Sequence, residues 1–173
     1  MQEWASRINW IDILIAILLI RASYIGYSKG FSVEIFKIIG TLAAVVAALG
    51  YHLKLADIIE LKSFLPPEVA ESLSFGAIAV GTLFAFSYIR TLLEKVIKLK
   101  FPDALESFLG FVLGLVRGAA ITSLILIFLN FLPSDYLKRS IEASFLGPGI
   151  SKAAPAAYSW IINFVNLPDA DSY

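Results

Sequence analysis

The run SLSFGAIAVGTLFAFSYI, residues 72–89, decides the fold of this chain because it contains no charged residue. An α-helix rises about 1.5 Å per residue, so roughly 20 mostly apolar residues cross the hydrocarbon core of a bilayer. With its flanking residues the run is long enough to do so. It therefore predicts a transmembrane helix. The environment of the neighbouring residues is then expected to be lipid rather than water.

Three further apolar runs of similar length flank it, at residues 8–24, 30–53 and 107–134. The sequence therefore predicts an all-α integral membrane protein, in which four transmembrane helices pack as a small bundle. Their expected bounds are about 8–26, 31–52, 71–98 and 105–132, within one domain of residues 1–132.

The composition agrees with a membrane protein. The chain has 173 residues, of which 58% are hydrophobic and 16% charged, whereas soluble domains have about 25% charged residues. The formal net charge is zero, so no basic field for nucleic acid is expected. There is no cysteine, which excludes disulfides and thiolate metal sites. The alternatives are a soluble bundle with unusually long buried helices and a signal peptide at the first run, but Asp12 interrupts that run.

The residues after Pro133 differ in character from the four runs. Residues 133–173 are expected to form a polar linker followed by a helix at about 156–167, with a turn or hinge at Gly147-Pro148-Gly149. That helix is rich in aromatic residues and too short to span, which suits an amphipathic helix at the bilayer interface. Packing on the end of the bundle is the alternative, and the sequence leaves both open.

Positive charges in the short links set the expected orientation. The first and third links share one side of the membrane, and their cations are denser than those of the opposite side. We therefore expect these links in the cytoplasm and both termini outside. The cations counted for the two links are Lys29, Arg90, Lys95, Lys98 and Lys100.

Small residues recur every four positions on two of the predicted helices. Such stripes allow helix backbones to approach closely in lipid. We expect them to mediate packing within the chain rather than in a dimer, with Gly114 of the fourth helix facing the second helix near Ala44. The residues concerned are Gly110, Gly114 and Gly118 in the fourth helix, Gly40, Ala44 and Ala48 in the second, and Gly26 and Gly30 at the first turn.

Ionisable residues at membrane depth are costly, so they usually face a partner or a cavity. Arg117 is the deepest of them, and Glu34 is the acidic residue within its reach at that level. We therefore predict that Glu34 and Arg117 pair, directly or through water. Lys37 lies three residues after Glu34 and is expected to snorkel to the near interface. Asp12 lies near the opposite end of the first helix.

Two stretches of the sequence resemble the CvpA (colicin V production protein) family. The first is Trp10-Ile11-Asp12 followed by Lys29-Gly30-Phe31, with Glu34 and Gly40 beyond it. The second is LGFVLGLVRG, residues 109–118, which is similar to the family's L-G-x-x-x-G-x-x-R-G signature. Glu106 also fits, although the family usually follows that acid with a basic residue and this chain has Ser107. The resemblance implies a bacterial inner-membrane protein with four spans and a role in peptide toxin production or export, or in envelope homeostasis.

Enzymatic readings find little support in the motifs. The single histidine, His52, excludes an H-E-x-x-H metal site, and neither a nucleophile elbow nor a phosphate-binding loop is present. We therefore expect a non-enzymatic membrane factor without a cofactor. Its expected partners are the lipid bilayer and either further copies of itself or other envelope and secretion proteins. The alternative function is a small oligomeric channel or transporter with a polar path near Asp12, Glu34 and Arg117.

Overall fold

The computed structural model of the protein describes residues 9–62, 65–93 and 103–165, and every regular element in these ranges is a helix. Four long helices confirm the predicted fold class, and three short helices follow them. The predicted continuation of the third helix over 94–98, the lysines at 95, 98 and 100, and the last two residues of the predicted tail helix lie outside the described residues. The helices are α1 (Trp10–Lys29), α2 (Phe31–Lys62), α3 (Pro67–Leu93), α4 (Asp103–Phe131), α5 (Asp135–Ala143), α6 (Gly147–Ile150) and α7 (Ala153–Val165).

Helix α1 has defined ends because of residues that the sequence places there. Asn9 is its N-cap and accepts a hydrogen bond from the Ile11 N–H at 2.8 Å, while Asp12 accepts one from the Asn9 N–H at 3.0 Å. This reciprocal pair is a capping box. At the other end Gly30 adopts φ +82°, a conformation that favours glycine. Because α2 begins at Phe31, this one residue makes the whole turn between α1 and α2.

Helix α2 extends ten residues beyond its predicted end, to Lys62 instead of residue 52. It is 32 residues long, which at about 1.5 Å per residue exceeds a hydrocarbon core of about 30 Å. The extra turns are rich in Leu, Ala, Lys and Glu, which favour helix in water as well. The predicted link over 52–71 is therefore mostly helical. Pro67 then occupies the first position of α3, where proline is well tolerated.

The four long helices form two close pairs. Helix α1 packs mainly on α4 and α3 mainly on α2, while α2 and α4 join the two pairs. One buried cluster forms where α2, α3, α4 and α7 meet, and it consists of Val45, Ala48, Phe75, Ala79, Leu124 and Ala154. A second forms between α1, α4 and α5, and it consists of Ile11, Ile15, Leu126 and Ile141.

The outer surface of the bundle is apolar around most of its circumference. Only 28 to 39% of the residues in the most apolar window of each span are buried inside the bundle. The large hydrophobic side chains left outside, such as Ile17, Phe84 and Val116, are 58, 73 and 51% exposed. Exposed apolar surface of this extent is not found on monomeric soluble proteins. Such faces are suited to lipid, and the described residues include four helices long and apolar enough to cross a membrane, so the chain is a multi-pass membrane protein.

The tail is more structured than the predicted polar linker. Residues 135–143 form α5, and the predicted turn at Gly147-Pro148-Gly149 is the single-turn helix α6. Helix α7 packs on α2 and α4 through Ala154 and Ile162, which are 0 and 8% exposed. Its opposite face presents Trp160 and Phe164, whose rings stack 5.4 Å apart. The alternative of packing on the bundle is therefore realised, and an aromatic face still points away from it.

Candidate functional site: a buried ion cluster between the membrane helices

Glu34 is a carboxylate fully buried in the bundle, with 0% exposure. It lies in the first turn of α2, where its own N–H donates to the Gly30 carbonyl at 3.2 Å. The positive end of the helix dipole favours a negative charge at this position. That contribution is small compared with the cost of removing a carboxylate from water, so Glu34 needs cationic partners.

Two cations share this carboxylate, one on each oxygen. Lys37 Nζ lies 2.7 Å from Glu34 Oε2, and Arg117 Nε donates to Oε1. The predicted pair of Glu34 and Arg117 is therefore present as a direct contact. Lys37 belongs to the same cluster and does not simply extend to the interface as expected. We call Glu34, Lys37 and Arg117 the ion cluster. Its formal charge is +1, since two cations face one anion.

Arg117 reaches Glu34 because helix geometry directs its side chain toward the corner between α1 and α2. It lies seven residues after Gly110, which packs against Gly26 and Gly30 at that corner. The Cα–Cβ bond of a helical residue points toward the N-terminus of its helix. The long Arg117 side chain therefore extends back about one turn, toward Glu34, which lies one turn beyond Gly30 on α2. Its side chain is 14% exposed and that of Lys37 is 15% exposed.

Small residues on α1 and α4 set the depth of Arg117. A Cβ on Gly114 would lie 2.6 Å from the Ala22 carbonyl oxygen and 3.1 Å from Gly26 Cα, so these two backbones are in direct contact. The prediction that Gly114 faces another helix of the chain is confirmed. The expected partner was wrong, because Gly114 faces α1 and not α2 near Ala44. The glycine interface, as we call this contact, consists of Ala22, Gly26 and Gly30 against Gly110, Gly114 and Gly118.

The small residues of α2 face a different neighbour. A Cβ on Gly40 would lie 2.8 Å from Cβ of Phe86, which places this part of the stripe against α3. Ala44 is fully buried at 0% exposure. The stripe on α2 and the stripe on α4 are thus two separate interfaces. This separation follows from the pairing of α2 with α3 and of α1 with α4.

A cavity of about 380 Å³ borders the ion cluster, and all four long helices contribute to its wall. Its polar side chains are Lys29, Lys37, Thr41, Ser87 and Arg117. Glu34 lies behind Lys37 and Arg117 and is not in the wall. The surface that this cavity presents is therefore cationic. Its remaining wall residues are Ile25, Phe36, Gly40, Leu83, Phe86 and Ile121.

Asp12 is remote from this cluster and performs a different task. Besides capping α1, its carboxylate accepts hydrogen bonds from the backbone N–H groups of Phe145 at 3.2 Å and Leu146 at 2.8 Å. Asn9 adds a bond from its side-chain amide to the Ser140 carbonyl at 2.6 Å. Asp12 thus attaches the tail to the start of α1. The predicted polar path near Asp12, Glu34 and Arg117 is not what the structure shows, because α1 separates Asp12 from the other two by most of its length.

A second tail contact was not anticipated from the sequence. Ser123 is fully buried in α4, where its hydroxyl donates to the Ser151 carbonyl at 2.8 Å and accepts from the Ala154 N–H at 3.0 Å. These bonds satisfy backbone groups at the start of α7. A serine in an apolar span usually bonds the preceding turn of its own helix, so nothing in the local sequence distinguishes Ser123. Its partner lies 28 residues away.

Replacing Asp12 with alanine is expected to release the tail from α1. The change removes the acceptor of two tail N–H groups, and hydrogen bonds to a charged group stabilise by about 1.5–3 kcal/mol each. We therefore expect trypsin to cut at Lys152 at least about tenfold faster in detergent solution. Asp12→Asn keeps one acceptor oxygen and should lie in between. Asp57→Ala, an exposed site on α2, is the control, and equal cleavage of all four proteins would contradict the assignment.

The described residues contain no group of three His, Asp or Glu side chains that could hold a metal ion. What the ion cluster can do is bind and orient a charged group, since it combines a fixed guanidinium with an adjoining cavity. Its geometry also ties α2 to α4 near the end of the bundle at which α2 begins.

Comparison with protein families matches residues 11–155 to the family described as Colicin V production protein. The match begins at Ile11 and includes all four spans, the ion cluster, the glycine interface and the tail as far as Pro155. Searches of curated proteins and of solved structures give no match. The family match covers far more than half of the chain and agrees with the resemblance seen at residues 10–40 and 109–118. The chain therefore belongs to the colicin V production protein family.

Proposed function

We propose that the protein is a non-enzymatic factor of the bacterial inner membrane that supports production or export of a colicin V-type peptide toxin, or the envelope homeostasis on which export depends. The family match over residues 11–155 carries this proposal, because it takes in the spans and the tail as far as Pro155. The direct ion pairs of Glu34 support it further. The pair with Arg117 joins α2 to α4, as suits a scaffold or accessory subunit, while the pair with Lys37 lies within α2. Its partners in this role are the bilayer, further copies of the chain, or other envelope and secretion proteins.

Complementation tests the proposal. A bacterial strain that lacks its own member of this family and carries a colicin V-type toxin operon would receive the gene. We expect toxin in the culture medium, or survival in detergent-containing medium, to return to the level of the parent strain. Glu34→Ala should fail to restore it, whereas Glu60→Ala, at an exposed site near the end of α2, should restore it fully. The proposal is wrong if the wild-type protein reaches the membrane in normal amount and neither phenotype changes.

The proposed orientation places both termini outside the cytoplasm. Alkaline phosphatase fused after Tyr173 should then be active, because it folds only outside the cytoplasm. A green fluorescent protein at the same position should be dark after Sec-dependent export. Bright fluorescence together with an inactive phosphatase would reverse the orientation. The fusions leave the family role untouched, so this test is independent of complementation.

A further inference from the structure

The cationic cavity beside the ion cluster continues into an apolar groove. The groove has a volume of about 530 Å³ and lies between α3 and α4. Leu83 and Ile121 belong to the walls of both, so the two spaces adjoin. From Leu83 the groove runs to Leu73 along α3, a distance of about 15 Å at 1.5 Å per residue. Its wall is apolar throughout: Leu73, Phe75, Gly76, Ala77, Ala79, Val80, Leu83, Ile121, Leu124, Ile125 and Phe128.

The cavity at the head of this groove has the charge that an anion requires. Lys29, Lys37 and Arg117 contribute three positive charges, against which Glu34 sets one negative charge. Glu106 packs against Gly30 at the same corner but is not in the wall. With Glu106 included, these five described side chains still carry a formal charge of +1. A charged cavity of this kind within a membrane protein attracts an anionic group more strongly than it would in water.

Arg117 has the donors that a phosphate group needs. Its bond to Glu34 uses Nε, so the two Nη nitrogens of the guanidinium are not the atoms that Glu34 holds. A guanidinium binds phosphate oxygens with parallel N–H donors. Glu34 fixes the plane of the group in advance, which reduces the entropy lost on binding. Ser87 adds a hydroxyl from α3 on the opposite wall.

From this combination we propose that the protein binds one anionic phospholipid in the paired spaces. The phosphate group lies in the cationic cavity beside Arg117, Lys37 and Lys29, and one acyl chain lies in the groove between α3 and α4. The apolar groove favours a lipid over free phosphate, because only a lipid has an acyl chain that can pack against the apolar side chains of its wall. The positive charge selects an anionic over a zwitterionic headgroup. The proposal does not depend on the role in toxin production.

The binding experiment uses the full-length protein in a mild non-ionic detergent. Native mass spectrometry would measure the dissociation constants of phosphatidylglycerol and of phosphatidylcholine with the same acyl chains. We expect phosphatidylglycerol to bind at least about fivefold more tightly, the factor that one added cationic contact provides. In a third arm, inorganic phosphate is added together with phosphatidylglycerol as a competitor, and at equal concentration it should not displace the lipid. Equal binding of the two lipids overturns the proposal, and so does free phosphate that competes with the lipid at equal concentration.

Two variants at exposed positions test the two ends of the site without disturbing the ion cluster. Lys29→Gln removes a cation of the cavity, and Val80→Trp fills the groove from a side chain that is 53% exposed. Each should weaken phosphatidylglycerol binding by about fivefold or more. Lys62→Gln and Val116→Trp are matched controls at exposed sites outside both spaces, and they should bind as wild type. If either test variant binds as its control does, the proposed lipid site is wrong.

Discussion

Glu34→Ala is expected to destabilise the protein by about 3–5 kcal/mol, the cost of removing one member of a buried ion pair. The reason is that Glu34 is the shared acceptor of Lys37 and Arg117, and both side chains then lose the buried carboxylate that they contact. Heating in detergent, followed by circular dichroism at a helical wavelength, would show the loss as a lower midpoint. Glu60→Ala at an exposed site on the same helix should leave the midpoint within error of the wild type.

A double-mutant cycle separates pairing from general damage. Arg117→Ala leaves Glu34 with Lys37 alone and should be the milder single change. The double change of Glu34 and Arg117 to alanine should be more stable than Glu34→Ala alone, because the Arg117 guanidinium that lost its carboxylate is then removed as well. Arg117→Lys should also lower the unfolding midpoint, since it replaces the planar guanidinium with the point charge of a shorter side chain. Strictly additive losses would mean that the two side chains do not interact.

Gly114→Leu is expected to prevent assembly of the bundle altogether. Even a Cβ at this position would lie 2.6 Å from the Ala22 carbonyl oxygen, and that oxygen is backbone, which cannot rotate aside. The two helices would have to separate, and their close van der Waals contact would be lost. In a bilayer this contact holds helices together, because no hydrophobic effect acts between them. We expect little protein in the membrane fraction and no monodisperse peak on size-exclusion chromatography.

Gly81→Leu is the matched control, because a Cβ there meets nothing within 4 Å. It should accumulate and elute as the wild type does. If Gly114→Leu behaves in the same way, the glycine interface does not hold α1 against α4, and the depth assigned to Arg117 would need another cause.

The spans and the central ion pair could be predicted because both depend on quantities that the sequence contains. Length and apolarity identify a membrane helix without any knowledge of its neighbours. The rise per residue gives the depth of Glu34 and Arg117, and the cost of a lone charge in lipid then requires them to meet. The position of Lys37 was predicted wrongly, because depth alone does not tell that Arg117 contacts only one oxygen of Glu34 and leaves the other to Lys37.

The helix that Gly114 packs against could not be predicted from its depth in the membrane, since any small residue at the same depth on another helix would allow the same close approach. A signal was nevertheless present. Ala22, Gly26 and Gly30 repeat every four residues, as Gly110, Gly114 and Gly118 do, and antiparallel helices would match the two series in reverse order. Gly40 and Ala44 offered a competing match. Only the three-dimensional pairing of α2 with α3 decides between them.

The tail shows the limit of local reasoning most clearly. Asp12 and Leu146 are 134 residues apart, and neither has a neighbour in sequence that suggests the contact. The polar character of residues 134–142 suggested a linker in water. In the structure, the backbone N–H groups of Phe145 and Leu146, which follow α5, donate to the Asp12 carboxylate. Backbone donors are present at every residue except proline, so the side-chain sequence does not indicate which of them form such a contact.

The pairing of α1 with α4 has a consequence for how the protein is made. Gly26 leaves the ribosome 84 residues before Gly110, an interval of roughly 4–17 s at about 5–20 residues per second. During that time α1 has neither its glycine partner on α4 nor the tail that binds Asp12. We expect α1 to be more open to proteolysis until α4 and the tail have been made. Slow translation between the third and fourth spans should therefore lower the yield of this protein more than slow translation after Phe131.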